Sequence, residues 1–471
     1  MRSLTVRAVL FKSIGELIPL YALYALLFAD HGMSTGQISL LFAIWSTTAF
    51  LLEVPSGAWA DTVSRRGLLV LSGVLLTAGF ALWTAAPSFA GFAAGFVLWG
   101  TSGALASGTF EALLYDDLAA RGASGSYPRI LGYTRAGAEA AVVVAIVAAT
   151  PLYLYGGYAL VGWSSVVIAA VHTLAALSLP TAPKAVSAAD MDDLEEESPS
   201  DAQPLADGSD ITTANIGPDS GVPAACDGDA DADARAVDSC IAIVSEADGV
   251  GPESVAAQPR PFARYLGMLK AGVGEAVRVR AVRYGVLLEA LLFGITAFDE
   301  YFALLAEESG VSTAVVPLLI GLTVLGSLTG SLLAGRTEGM SGRTMSIAVG
   351  VAGLLFLGGA VIAGLATGRP DAVYLLTGLG FASIGVSYGI VYNAGIVAGA
   401  RLQDAIEGPA RATVTSVSGL LGEVIALVVF GFAALVTLWS SMSTLLALLG
   451  AAILAIATLA PRWLPQRADR P

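Results

Sequence analysis

Apolar runs of roughly 18 to 25 residues recur along almost the whole chain, which is the length a helix needs to cross about 30 Å of hydrocarbon. Each run must take helical form, because an isolated segment in lipid has to satisfy its own backbone hydrogen bonds. Breaking the runs at glycine, proline and charge predicts twelve segments, at 9–29, 37–59, 68–86, 90–115, 129–150, 157–180, 283–305, 313–334, 345–366, 373–400, 412–435 and 440–460. Six precede and six follow a long polar stretch. The pattern therefore predicts an all-α, polytopic membrane protein of two pseudo-symmetric six-helix bundles, related by an axis along the membrane normal as in the parallel repeats of some transporters.

Composition agrees: of 471 residues 55% are apolar and 13% charged, with a mean hydropathy of +0.74. The net charge of −14 is more local than it looks. Between Lys184 and Arg260 there are 18 acidic residues against three basic ones, whereas the rest of the chain holds 20 and 21. The expected organisation is thus an N-terminal bundle over 1–183, a disordered acidic cytoplasmic loop over 184–260, a basic amphipathic cytoplasmic segment over 261–282 lying against anionic lipid, and a C-terminal bundle over 283–471 with a short tail. Within the loop, DGDADADARAVD resembles a calcium loop, but Ala232 stands where the turn needs glycine and Asp238 replaces the bidentate glutamate, so a solvated tether is the better reading. Cys226 and Cys240 fall in the same stretch and are expected to be free thiols. The low pI of about 4.6 argues against a nucleic-acid partner.

Lysine and arginine set the topology. With the N-terminus inside, 22 of the 24 fall on the cytoplasmic side; Arg369 lies outside and Arg135 within a helix. An even number of spans with both termini cytoplasmic fits this distribution. The first segment carries Glu16 and Pro19 and lacks a small-residue cleavage site, so it reads as a retained helix. Abundant Ala, Gly and Asp with few Lys suggests a GC-rich bacterial source, and hence the cytoplasmic membrane as the location.

Charge also clusters where segments two and three meet, in GAWADTVSRRG at 57–67. Gly57 allows close helix approach, Asp61 can face a helix amino end or a cation, and Arg65 and Arg66 can reach Asp116 or Asp117 at the inner end of segment four. The spacing G-x-x-A-D-x-x-x-R-R resembles the loop 2–3 signature of the major facilitator superfamily, and with twelve segments the resemblance covers the chain outside 184–260. It implies a fold of two six-helix bundles and a charge-based latch on the cytoplasmic side, with gating assigned to Asp61, Arg65 and Arg66. Gly57, Asp116 and Glu53, which precedes Pro55 near an expected kink, join that group. EVPSGAWAD at 53–61, SGTFEALLYDDL at 107–118 and LQDAIEGPARATVTSVSGLLGE at 402–423 are similar to segments of proton-coupled drug and metabolite exporters of the superfamily.

Ionisable groups inside the spans are the remaining chemistry, since each costs about 2.5 to 3.5 kcal/mol on insertion scales and marks a cavity or relay. They are Glu16, Glu53, Glu111, Arg135, Glu139, Glu289, Asp299, Glu300 and Glu423, eight acids to one base. Arg135 and Glu139 are four apart and are expected to form a buried pair. Glu16 and Glu111 are the leading candidates to bind a proton or cation, followed by Glu289 and Asp299; Glu300, one residue on, is expected to point elsewhere. Tyr21, Tyr24, Trp45, Phe110, Tyr388 and Tyr392 could stack on a planar or cationic substrate, although packing is the plainer role, and Tyr388, Tyr392 and Asn393 form the most polar aromatic group. His31 and His172 are too isolated for a metal site. There is no P-loop, so ATP and other cofactors are not expected, and no nucleophile with a base suggests an enzyme.

The reading is a monomeric secondary transporter in a lipid bilayer, with a small molecule and protons as its partners, exporting a small amphipathic or cationic compound. Proton symport or facilitated uptake of a nutrient is the alternative within transport, and a non-transporting sensor or scaffold built on the acidic loop is the alternative outside it. Deleting 184–260 while keeping the halves connected is expected to leave substrate flux in proteoliposomes unchanged. Loss of flux in that variant would favour the scaffold reading.

Overall fold

The computed structural model describes residues 2–181, 274, 278–406 and 411–466, apart from the side chains of 54, 57, 58, 61, 62 and 411–413. The acidic stretch with its two cysteines and calcium-like loop, nearly all of the basic segment 261–282, and the tail from 467 lie outside these residues.

The first half begins with α1 (Arg2–Glu16), a 3-10 turn (Pro19–Ala22) and α2 (Tyr24–Asp30), together making one broken span. Pro19 forces the break: it lacks an N–H, and Ile18 before it is extended (φ −101°, ψ 103°). Helix α3 (Thr35–Thr62) starts at Ser34, whose side chain and that of Gln37 form a reciprocal capping box. Ser64 accepts from the Gly67 N–H at the start of α4 (Arg65–Ala85). The fourth span is divided into α5 (Phe89–Ala106) and α6 (Thr109–Ala120) at Gly108, whose φ of 64° only glycine adopts without strain. Helix α7 (Tyr127–Leu177) has 51 residues, too many for one crossing, and loses helical dihedrals at Gly156 and Gly157, which makes it two spans.

The second half repeats this plan. Helix α8 (Arg280–Gly294), a 3-10 turn (Ile295–Tyr301) and α9 (Phe302–Glu308) form its first span, broken near the middle as in the first half. Then follow α10 (Val316–Thr337), α11 (Gly342–Gly364), α12 (Val373–Ala405), α13 (Arg411–Val436) and α14 (Met442–Trp463). Eleven stretches are long and apolar enough to cross a membrane, and with α7 counted as two the described residues contain twelve spans and no strand. The first segment starts at residue 2, earlier than its apolar run suggests, so Arg7 and Lys12 ride on a helix and are not loop residues.

Helix pairing repeats too. In the first half α4 packs on α5 and on α7, α3 on α5, and α1 on α7; in the second, α11 packs on α12 and α14, α10 on α12, and α8 on α13. Lipid tails are as apolar as leucine side chains, so close packing has to replace the hydrophobic effect between helices, and small residues permit it. The tightest crossing is α10 on α12, where Gly326 faces the Gly385 carbonyl and Gly330 faces that of Gly389, leaving no room for a Cβ. Asn393 ties the same two helices: its Nδ2 donates to Gly330 O at 2.9 Å and its Oδ1 accepts from Thr337 Oγ1 at 3.0 Å.

The halves meet through α3 against α13 and through the first part of α7 against α10. The face where α1 begins and α14 ends is here the terminal face, and the opposite one the far face. Among the described residues four hydrogen bonds join the halves: Thr150 Oγ1 to Ala314 O at 2.9 Å, Ser39 Oγ with Tyr301 Oη at 2.8 Å, Ser46 Oγ to Glu423 Oε2 at 2.6 Å, and Tyr24 Oη to Glu300. All lie at mid-depth or toward the far face. Phe42 adds ring contacts across the same seam, 5.8 Å to Tyr301 and 5.6 Å to Phe430. The far side is therefore closed.

Replacing Gly330 by leucine is expected to force α10 off α12 and to cost about 1–3 kcal/mol or more, as overpacking of a filled interface does. Thermal unfolding of detergent-purified protein checks this, and an unchanged midpoint would refute the tight crossing.

Candidate substrate-binding cavity

A cavity of about 460 Å³ lies between the halves, walled by α3 on one side and by α8, its 3-10 extension and α13 on the other. Trp45 and Ser46 come from α3, Glu289 and Phe293 from α8, Asp299 and Glu300 from the 3-10 turn, and Ser418, Glu423 and Phe430 from α13. Gly419 and Gly422 add no side chain beside Ser418 and Glu423 on this face of α13, which leaves the cavity room there. It reaches toward the terminal face, because Glu289 lies 9 residues from the start of α8 at Arg280, and Thr415 only 4 from the start of α13 at Arg411.

Four carboxylates line this space, and none of the described lining residues is basic. Each accepts a hydrogen bond from a neutral hydroxyl. Ser418 Oγ donates to Glu289 Oε2 at 2.6 Å, Tyr388 Oη to Asp299 Oδ2 at 2.8 Å, Ser46 Oγ to Glu423 Oε2 at 2.6 Å, and Tyr24 Oη to Glu300. Asp299 and Glu300, consecutive in the 3-10 turn, both line the cavity. With three residues per turn, Thr296 stacks over Asp299 and Ala297 over Glu300, and all four line the cavity. Glu300, expected to point elsewhere, lines the cavity beside Asp299, and the structure corrects that expectation.

On the opposing wall Trp45 is backed by further aromatic rings that do not themselves line the cavity. Trp45 stacks on Trp99 at 5.1 Å, Trp99 on Tyr21 at 5.2 Å and on Phe96 at 5.8 Å. Tyr24 sits among Phe28, Phe42, Trp83 and Phe96 with its hydroxyl directed to Glu300. Across the cavity Tyr388 packs edge-on to Tyr392, and Tyr392 to Phe293.

Glu16 and Glu111 are placed differently, in the first half and away from the lining of this cavity. Lys12 Nζ binds Glu111 Oε1 at 2.9 Å and lies 4.7 Å from the centre of the Phe110 ring. Glu16 has Lys12 and Glu139 as its charged neighbours. His172 is stacked on Phe11 at 4.4 Å and bonded through Nδ1 to Phe11 O at 3.0 Å, a packing role, and His31 is bonded through Nδ1 to Leu27 O at 2.7 Å. Arg135 and Glu139 are both exposed on the helix body, which corrects the expectation of a buried pair. Asn393 joins α10 to α12 and does not line the cavity.

At the terminal face Arg65 and Asp116 form an ion pair with side chains only 4% and 2% exposed. Arg66 donates to Leu179 O at 3.4 Å. Asp117 binds Arg121 at 2.6 and 3.0 Å, and this hydrogen bonding holds the Arg121 guanidinium pKa above its usual value. Glu53 accepts from Ser107 Oγ at 2.9 Å, which ties α3 to the α5–α6 break. Gly57 and Asp61 fall in the last turns of α3, with side chains outside the described residues. In the second half Arg401, 4% exposed, donates to Glu338 O at 2.8 Å and so caps the end of α10.

Two repeats of six helices around a polar cavity, sealed on one face, define a membrane transporter of the alternating-bundle class. Residues 8–422 match the sequence profile of the Major Facilitator Superfamily, and the chain belongs to that family. No curated protein matches the sequence. Among solved structures the chain is similar to the crystal structure of the nucleoside transporter NupG, with a TM-score of 0.57 and 10% identity over 97% of each chain. The family makes the protein a multi-pass secondary transporter.

Sequence reasoning counted Glu423 among the intramembrane acids without giving it a role, and missed Ser46, Ser418 and Lys12 as members of these groups. Each is one polar residue in an apolar run, and only its distant partner reveals what it does. Asp116→Asn leaves Arg65 buried beside a neutral amide and is expected to cost about 3–5 kcal/mol, as breaking one side of a buried pair does. Asp117→Asn, next to exposed Arg121, is expected to cost much less. Thermal unfolding of the two variants side by side gives the comparison.

Proposed function

We propose that the protein exports a small amphipathic cation in exchange for protons, by alternating exposure of the cavity between its two halves. The observation that carries this reading is the cavity itself, with four carboxylates, no basic side chain among its described lining residues, and an aromatic wall at Trp45. An organic cation satisfies both walls: its charge meets the carboxylates and its flat body lies against the indole. In its absence protons neutralise the same groups, because a surplus of bare carboxylates inside a lipid-embedded body is costly. Cargo and protons thus take turns on one set of acids, which couples their fluxes.

Proton or cation binding is assigned to Glu289, Asp299, Glu300 and Glu423, with Tyr24 and Tyr388 as hydroxyl donors. Glu16 is the corresponding acid of the first half, since Glu111 is ion-paired with Lys12. The terminal face is read as cytoplasmic, following the arginine and lysine distribution, in a bacterial cell membrane and in a monomer. Gating is assigned to Glu53, Gly57, Asp61, Arg65, Arg66 and Asp116, with the buried Arg65–Asp116 pair as the fixed part of the latch. Uptake of a nutrient by symport is the second reading, favoured by the likeness to a nucleoside transporter.

In proteoliposomes with an imposed pH gradient, tetraphenylphosphonium is expected to move against the proton gradient, and a protonophore to abolish that movement. Glu289→Gln is expected to lower the coupled rate about 10- to 100-fold, the worth of one charge-assisted contact. Undiminished coupling in both Glu289→Gln and Glu16→Gln would overturn the exchange mechanism, and nucleoside counterflow without cation transport would favour the second reading.

A further inference from the structure

The four cavity carboxylates all belong to the second half, but the hydroxyls that hold them do not. Ser418 on α13 and Tyr388 on α12 bind Glu289 and Asp299 from within that half, so these bonds survive when the halves rock. Ser46 on α3 and Tyr24 on α2 bind Glu423 and Glu300 from the opposite half. These two contacts are also half of the hydrogen bonds that close the far side among the described residues. Glu300 and Glu423 therefore face cargo and seam at once, and rocking the halves apart at the far side must break their bonds and return two bare carboxylates to the cavity.

Resting on the cation reading above, we infer that the carboxylates divide their labour. Glu289 and Asp299 anchor an organic cation in every conformation, and Glu300 and Glu423 are positioning residues that change partner, from the hydroxyls of Ser46 and Tyr24 to the bound cation, as the far side opens. Cargo compensates the two charges that opening would strand. The neighbouring Ser39–Tyr301 bond and the Phe42 contacts register the seam but touch no carboxylate of the cavity, so they supply closure without sensing occupancy.

Spin labels at His31→Cys and Ser312→Cys, both exposed and at the far ends of α2 and before α10, report the far-side separation by pulsed electron resonance in a Cys226→Ser, Cys240→Ser background. Without ligand, Ser46→Ala and Tyr24→Phe are each expected to raise the long-distance population about tenfold, the worth of one hydrogen bond to a charged acceptor. Ser418→Ala, which removes the equivalent hydroxyl within one half, is expected to leave the distribution unchanged while weakening tetraphenylphosphonium binding measured by tryptophan quenching. Addition of tetraphenylphosphonium is expected to shift the unmutated seam toward the long distance, and to do so less in Glu423→Gln. An unchanged distribution in both latch variants overturns the division of labour, as does a shift in Ser418→Ala equal to that in Ser46→Ala. Absence of tetraphenylphosphonium binding to the unmutated seam overturns the cation reading instead, and the ligand-free comparison of the hydroxyl variants then decides for or against the latch by itself.

Discussion

A carboxylate inside a lipid-embedded body has to be compensated, and in this protein that requirement falls on the seam between two helical repeats. Water cannot reach every side of such a group and lipid offers nothing, so hydroxyls, a cation or a proton must do the work. Hydroxyls supply one hydrogen bond each and no charge. The hydroxyls thus hold the cavity acids in place without matching their charge. The Arg65–Asp116 pair at the terminal face is the contrasting case: there the charge is matched inside the protein, and the pair serves architecture more than exchange.

The repeat makes this arrangement possible. Both halves pair their helices in the same order, and both break their first span near mid-membrane, by Pro19 in one and by a 3-10 turn after Gly294 in the other. A broken helix at that depth is tolerated where it lines a cavity or is packed in protein. In the second half the break carries two consecutive acids that both line the cavity. In the first it presents Tyr24 across the seam to meet one of them. At the cavity the halves differ: the first contributes Trp45 and Ser46, the second all four carboxylates.

Packing within each half is rigid by comparison with packing between them. Glycine faces such as Gly326 and Gly330 against Gly385 and Gly389 bring backbones into direct contact, with Asn393 clamping the same pair of helices. Between the halves the described contacts gather toward the far face, and the cavity extends toward the terminal face. In transporters built of such repeats, alternating access is largely the rocking of one bundle against the other about a central site.

Much of this was legible in the sequence. The number of spans, their near-even spacing and the membrane character follow from apolar run length, because hydrocarbon thickness and backbone hydrogen bonding leave one solution. The loop 2–3 charges could be read as a group since Gly57, Asp61, Arg65 and Arg66 lie within ten residues of each other, and Asp116 was nameable as a partner by its depth alone. What the chain's linear order does not contain is which acid meets which hydroxyl. Lys12 beside Glu111, Ser418 beside Glu289 and Ser46 beside Glu423 are contacts across 99, 129 and 377 positions. Helix rotation decides them, and it depends on packing against the rest of the molecule. Segment by segment, then, lipid dictated the helices; only the assembled halves could decide where uncompensated charge would sit, because that depends on what stands opposite.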